Sequence, residues 1–337
     1  KAQEKKQAKA ALASGEALLA VGTHALFQKD VLFKNLGLLV IDEQHRFGVE
    51  QRMQLQQKGT KETLSPHVLI MTATPIPRTL AMSLYADLDI STINSRPKMR
   101  KEIMTTLLSQ SKRQTLIERV KNYALAKGQV YWVCTLIEEN EEMDLQACQQ
   151  CFNDLKPQLA PLKIAMVHGK MPSEDKQAIM AEFAKGHIDV LIATTVIEVG
   201  LDVKNANLMV IENPERLGLS QLHQLRGRVG RGDVQAYCVL LYGQRLSQST
   251  LMRLKCIRDT QNGFELAEQD LKYRGQGDLL GTRQSGAFDF RIANLLRDKD
   301  LWSIVMDLSD HIAKDSVLQN RLITRWVQKA GEYAYTP

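Results

Sequence analysis

Leu36-Gly37-Leu38-Leu39-Val40-Ile41-Asp42-Glu43-Gln44-His45 is an apolar run that breaks off in two acids, an amide and an imidazole. Leu38 to Ile41 show no polar alternation, which is how a strand reads when both its faces are buried in a parallel sheet. Open α/β sheets bind their ligands at the carboxyl ends of such strands. Asp42 would stand at that rim, placed to hold a magnesium ion directly or through water, and Glu43 to orient a water against a terminal phosphate. A strand ending in an ordinary polar turn would read the same over these four letters, so the rest of the chain has to separate the two.

The 337 residues are enough for two domains with separate cores. Hydrophobic residues make up 44% and charged residues 24%, the balance of an ordinary globular protein. No apolar run approaches the ~20 residues of a membrane span, and no signal-peptide pattern is present. A net charge of +6 is a mild lean toward polyanions and weak by itself as a sign of nucleic acid. The sequence starts at Lys1 inside a basic, alanine-rich helical pattern, which reads as a piece of a longer chain. The 5 cysteines are scattered and odd in number, so no disulfide framework is expected. Cys148 and Cys151 form a lone C-x-x-C; a structural zinc site takes four ligands, and without a second pair free thiols are expected.

In chain order, a helix ends near Ala13, a strand is expected over Glu16–Val21, and Gly22-Thr23-His24 forms a turn whose N–H groups and hydroxyl suit a phosphate. The Asp42 strand and a polar helix near Val49–Lys58 follow. A further buried strand over His67–Met71 ends in Thr72-Ala73-Thr74-Pro75, a pair of hydroxyls beside the acidic motif. A polar, Pro-containing joint near Asn94–Lys98 marks a boundary. Beyond it, strands are expected at Glu102–Leu108, Val130–Leu136, Lys163–Val167, Val190–Ala193, Leu208–Ile211 and Ala236–Leu241. Helices are expected at Lys112–Ala126, Glu142–Leu155 and Pro172–Ala184. Strand–helix alternation means a parallel sheet covered by helices. The expected fold is therefore α/β, with two tandem lobes of which the first is incomplete.

The second lobe carries Thr194 to Val203 and then Gln221-Leu222-His223-Gln224-Leu225-Arg226-Gly227-Arg228-Val229-Gly230-Arg231-Gly232. If the latter is helical throughout, Gln224, Arg228 and Arg231 share one face. Guanidinium groups so placed suit a triphosphate held on a facing lobe, where they would stabilise charge on the transferred phosphoryl. After Gly243, Leu246–Arg258 and Phe264–Tyr273 read as a helical hairpin. The glycine-rich run Arg274–Gly286 reads as a loop, and Ile292–Lys329 as packing helices.

Taken in order, these motifs resemble the superfamily-two helicases: Asp42 to His45 resemble motif II, Thr72 to Thr74 motif III, Thr194 to Val203 motif V, and Gln221 to Gly232 motif VI. Asp42 to Val49 and Thr72 to Leu80 are more similar still to the RecG family of branch-migration helicases. So are Gly263 to Leu271, Arg274 to Gly277, Gly281 to Gly286 and Phe290 to Asp298. The resemblance implies two RecA-like lobes in an ATP-dependent double-stranded DNA translocase that remodels stalled forks and migrates Holliday junctions. It implies ATP and Mg2+ as cofactors, branched and duplex DNA and a single-stranded DNA-binding protein as partners, a monomer, no membrane, and a bacterial cytoplasmic, nucleoid-associated location. On it, Asp42 is the metal residue, with Glu43, Arg228 and Arg231 in hydrolysis. Gly200, Asp202 and Gln224 touch the nucleotide, and Gln44, His45, Thr72 and Thr74 couple its state to DNA. Thr23, His168, Thr194, Arg274 and Gln284 contact DNA. The implied domains are 1–95 (first lobe), 96–245 (second lobe), 246–290 (translocation hairpin and loop) and 291–337 (helical cap).

The family carries a wedge domain and a P-loop ahead of motif II, yet no G-x-x-x-x-G-K-[ST] occurs in these residues; His168-Gly169-Lys170-Met171 comes nearest and lacks the hydroxyl. The expectation is that this polypeptide alone does not hydrolyse ATP under DNA stimulation. A transcription-repair coupling translocase and a catalytically dead nucleic-acid scaffold are the alternatives.

Overall fold

The computed structural model describes residues 2–43, 55, 57–59, 64–72, 89–93, 101–135, 141–195, 203–243, 245–279 and 297–326. The chain divides into two compact units, Lys1–Ile76 with Ser91–Gly286, and Pro77–Ile90 with Ala287–Pro337.

The first unit begins with helix α1 (Ala2–Ser14), closed by Gly15 at φ 80, a left-handed position that glycine takes without steric cost. The strand expected over Glu16–Val21 does not form: the segment joins no ladder, and Leu18, Leu19 and Val21 are 96%, 82% and 90% exposed. β propensity is realised only where a neighbouring strand takes up the backbone groups, and the described residues supply none here. The acidic-motif strand β1 (Leu38–Ile41) pairs in parallel with β2 (His67–Ile70), Leu38 opposite His67 and Ile41 opposite Ile70. Only one face of this pair is covered. Leu39 and Ile41 are buried with Leu55, against Phe27, Phe33 and Val68, while Leu38 and Val40 are 59% and 49% exposed. The expectation that both faces of β1, and β2 as well, are buried is therefore wrong within the described residues. A continuous apolar run marks a strand capable of burial on both sides, but the burial itself needs a second layer.

That layer exists in the sheet built from β3 (Met104–Ser109), β4 (Gln129–Cys134), β5 (Ile164–Val167), β6 (Val190–Ala193), β7 (Ala206–Glu212) and β8 (Tyr237–Tyr242). Its strands are all parallel and run in the order β3-β8-β7-β4-β6-β5. Between them lie α2 (Arg113–Leu125), α3 (Glu141–Leu159), α4 (Ser173–Ala184) and α5 (Leu219–Arg226); after β8 come α6 (Gln248–Asp259) and α7 (Gly263–Leu279). Successive residues of a strand point to opposite faces, and the core divides accordingly. Val130, Trp132 and Cys134 pack with Ile117 and Val120 of α2 and Cys148, Leu155 and Leu159 of α3. Tyr131 and Val133 pack with Phe183 of α4, Leu222 and Leu225 of α5, and Leu254 and Leu266 of α6 and α7. With both faces covered, every residue of β4, β6 and β7 is buried.

Two helices run longer than their sequence suggests. α3 continues past Leu155 through Pro157 to Leu159. α7 takes in Arg274 to Leu279, so the first part of the expected glycine-rich loop is helical.

In the second unit, α8 (Trp302–Ala313) and α9 (Ser316–Trp326) form a helix pair. Asp315 caps α9, its Oδ1 accepting from the N–H groups of Val317 and Leu318, both at 3.0 Å. Among the described residues no helix is long and apolar enough to cross a membrane.

Candidate functional site

Parallel pairing carries the chain ends of β1 and β2 to the same edge. Ile41 and Ile70 are partners, and the Met71 N–H donates to the Ile41 carbonyl at 2.7 Å. Asp42–Glu43 and Thr72 therefore leave the sheet side by side. The Glu43 N–H donates to Asp42 Oδ1 at 2.8 Å, which orients the Asp42 carboxylate at the rim, where it is exposed. Glu43 is half-buried and holds φ 50. A non-glycine residue in the left-handed region carries backbone strain, and such outliers gather at functional positions. An exposed carboxylate at a strand end is a suitable hard oxygen donor for magnesium. Gln44, His45 and Thr74 lie outside the described residues.

Thr23 stands exposed at the start of a short 3-10 turn, His24–Phe27, and makes no capping bond there. The turn is held from behind by Lys58, whose Nζ donates to the carbonyls of Leu26 (3.2 Å), Gln28 (2.5 Å) and Val31 (3.1 Å). Burial pulls the Lys58 ammonium below its ordinary value, and Asp30 partly restores it. Nothing in the local sequence signals this lysine, because its three acceptors come from a segment 27 or more residues away.

The six-stranded sheet presents a second polar edge. Val167 of β5 pairs with Ala193 of β6, and the Thr194 N–H donates to the Val167 carbonyl at 3.3 Å, so His168 and Thr194 are neighbours. Among the described residues His168 Nδ1, though buried, has no hydrogen-bond partner. Burial first, then Lys176 and Lys170, hold its pKa below the ordinary histidine value, which keeps the ring neutral. Thr135 continues the edge from β4, its hydroxyl within reach of the Glu212 carbonyl at 2.6 Å and the Asn213 carbonyl at 2.8 Å. Asn213 turns the chain at φ 51. Thr135 was missed from the sequence; like Thr194 it follows a buried strand directly, and that shared position was the available signal.

The stretch Gln221–Gly232 is not helical throughout. α5 ends at Arg226, Gly227 caps it, and the chain turns through Arg228 and Val229 to Gly230 at φ 71. Gln224 is thus on the helix, while the half-buried Arg228 and the exposed Arg231 stand on the turn beyond it. The shared helical face does not exist. Val229 is fully buried and pins the turn. At Gly230 a side chain would meet Ala236 Cβ at 2.9 Å and Ile103 Cγ1 at 3.3 Å, so the close approach as well as the dihedral requires glycine.

Arg226, also missed, is 2% exposed. Its Nη1 donates to the carbonyls of Ile257 (2.6 Å) and Thr260 (3.0 Å) at the end of α6, and its Nη2 to His223 Nδ1 (2.9 Å). Because a guanidinium only donates, His223 must present an unprotonated Nδ1. A cation at the carboxyl end of a helix is favourably placed, and this one ties the arginine-bearing turn to the α6–α7 hairpin. Gln261, at the hairpin's bend, completes the tie: its amide accepts from the Ile103 N–H (3.3 Å) and donates to the Ile103 carbonyl (3.1 Å). Arg274 lies on α7; Gly200, Asp202 and Gln284 lie outside the described residues.

Three family models match: DEAD/DEAH box helicase over residues 1–83, helicase conserved C-terminal domain over 111–233, and "ATP-dependent DNA helicase RecG, domain 3, C-terminal" over 260–323. ATP-dependent DNA helicase RecG of Escherichia coli (strain K12) is 51% identical over 326 residues, 96% of this chain and 47% of that protein. The Haemophilus influenzae protein of that name is 50% identical over 327 residues, 95% of this chain and 47% of its own length. The chain thus spans about half the length of the curated relatives it matches. A solved structure of RecG bound to a three-way DNA junction aligns at TM-score 0.65 and 40% identity, covering 89% of this chain and 38% of that one. The L327V variant of the S. cerevisiae protein Dbp5 bound to RNA and ADP BeF3, at TM-score 0.51 and 14% identity over 74% of this chain and 66% of its own, shares the fold.

Proposed function

The chain belongs to the RecG family of DNA helicases, and from that premise we propose that it supplies most of the motor of an ATP-dependent translocase on double-stranded DNA. The intact protein would remodel stalled forks and branch-migrate Holliday junctions. It would act as a monomer in the bacterial cytoplasm and nucleoid, on branched and duplex DNA and beside a single-stranded DNA-binding protein. The observation that carries this reading is the side-by-side exit of Asp42–Glu43 and Thr72 from the parallel pair β1–β2. That edge joins metal-binding, water-orienting and hydroxyl chemistry where α/β sheets hold ligands.

In this mechanism Asp42 would hold Mg2+, which when bound would neutralise charge on the phosphates of ATP. Glu43 would orient the attacking water, and Arg228 and Arg231 would reach the phosphates from the second lobe, with Gln224, Gly200 and Asp202 beside the nucleotide. Gln44, His45, Thr72 and Thr74 pass the nucleotide state to the DNA side. Thr23, His168 and Thr194 contact the DNA backbone, which carries no sequence information and suits a motor that steps along any duplex. Arg226 links the arginine turn to α6, so movement of that turn is transmitted to the hairpin, and Arg274 and Gln284 draw on the DNA. We assign residues 1–95 and 96–245 to the two lobes, 246–290 to the hairpin and loop, and 291–337 to a cap. No G-x-x-x-x-G-K-[ST] occurs in the 337 residues, so on this reading they do not hydrolyse ATP by themselves.

The test is Gln284→Ala in the intact protein. It is expected to leave DNA-stimulated ATPase unchanged and to impair fork unwinding; equal loss of both would overturn the coupling role. DNA-stimulated ATPase from the purified 337-residue chain would overturn the dependence on a P-loop.

A further inference from the structure

The carboxyl ends of β4 and β7 and the inner face of α3 bring together a group of side chains that the motor reading leaves unused. Cys134 ends β4, Cys148 and Cys151 lie one turn apart on α3, and Glu212 ends β7. All are buried, and the chain's cysteines are free thiols. Cys134, Cys148 and Cys151 belong to one buried cluster between β4 and α3. Cys151 Sγ donates to Glu212 Oε2 at 4.0 Å, and the ligand atoms of Cys134, Cys151 and Glu212 all lie within 4.8 Å of one another. Cys151 of the lone C-x-x-C thus meets a second sulfur and a carboxylate from two other elements.

We propose that Cys134, Cys151 and Glu212 form a structural site for a soft divalent cation of the zinc type, with Cys148, one helical turn from Cys151, supplying the fourth ligand once its side chain shifts toward them. A tetrahedral zinc site with Zn–S bonds of ~2.3 Å separates its sulfurs by roughly 3.8 Å, so Cys134, Cys151 and Glu212, within 4.8 Å of one another, need only a small contraction. On binding, each thiol breaks its S–H bond, releases the proton to solvent and forms an S–metal bond, while a Glu212 oxygen takes the remaining position. Three thiolates and a carboxylate exceed the charge of the cation. Arg113 offsets part of the excess, its Nε donating to Glu212 Oε1 at 2.7 Å while Nη1 holds Asp154 at 2.6 Å. It would orient the carboxylate from behind, as partners of metal ligands do. The Arg113 guanidinium also stands 5.8 Å over the Trp132 ring, so it is fixed whether or not the metal is bound.

The experiment is a titration of the purified chain with Cd2+ in a non-thiol reductant, followed by the ultraviolet thiolate-to-cadmium band, with Zn2+ affinity read by competition against a chromophoric chelator. One equivalent per chain is expected. Cys134→Ser and Cys151→Ser should each weaken binding by at least about 10- to 100-fold, and Cys256→Ser should leave it unchanged. Should the serine variants fail to fold, stoichiometric Zn2+ must raise the melting temperature of the wild-type chain and a chelator must reverse it. Absence of the band, a band that survives Cys134→Ser, or a melting temperature indifferent to Zn2+ overturns the site and leaves a cluster of core thiols.

Discussion

The two parallel sheets of the first unit are built from the same material to different ends. β4, β6 and β7 are buried along their whole length between helices, whereas β1 buries alternate residues and β2 buries none fully. Yet the small sheet ends in the chemically richer edge, with Asp42, a strained Glu43 and Thr72. The large sheet contributes a rigid frame that aims Thr135, His168 and Thr194 from its rim and the Arg228 turn from α5. Packing density and chemistry are thus separable: apolar contacts on both faces stabilise one sheet, while the other depends on a single layer to hold its functional edge.

Substitutions in the two regions should separate along the same line. The largest effect is expected for Arg228→Ala in the intact protein, a fall in the rate of DNA-stimulated ATP hydrolysis of about 10³- to 10⁵-fold with an unchanged melting curve; a small rate effect would remove Arg228 from phosphoryl transfer. Next is Trp132→Ala, which empties the core between β4, α2 and α3 and should cost about 3–5 kcal/mol in denaturant unfolding. Val40→Ala, on the exposed face of β1, should stay within about 0.5 kcal/mol in the isolated chain. If the two costs matched, the contrast between a doubly and a singly covered sheet would be broken. Gly230→Ala places a β carbon in the left-handed region and should cost about 1–2 kcal/mol from the dihedral alone. Its ATPase should fall further than that stability loss predicts, because Arg228 and Arg231 flank the bend.

The smallest effect belongs to the half-buried Glu182. Hydrogen bonds from Lys185 and then His187 hold its carboxyl down at about 2. A carboxylate with a depressed folded-state pKa contributes stability above its unfolded value of about 4.3, and that contribution is lost as pH falls toward 2. Wild type and Lys185→Ala should therefore differ slightly in thermal melts near neutrality and converge in acid; a gap that widens in acid would contradict the sign.

Most of the second lobe could be read from sequence because its signals are local. Runs such as Val190–Ala193 mark strands by their own composition, and Pro172 and Gly186 bracket α4 by their own backbone preferences. The failures have one cause. Among the described residues, Glu16–Val21 has the composition of a strand without a partner and β1 that of a doubly buried strand without a second layer, while Gln221–Gly232 has helical spacing that Gly227, Gly230 and the buried Val229 interrupt.

By itself, the sequence determined that the chain is α/β, which apolar runs become strands in the second lobe, and that acids, hydroxyls and arginines fall at strand and helix ends. Each of these follows from the preferences of residues close together in the chain. Only the tertiary structure decided which faces are covered, that Arg226 and Lys58 act as ties between distant segments, and that Cys134 and Glu212 join Cys151. Those outcomes depend on contacts between residues far apart in sequence, and such contacts leave no periodic trace along the chain.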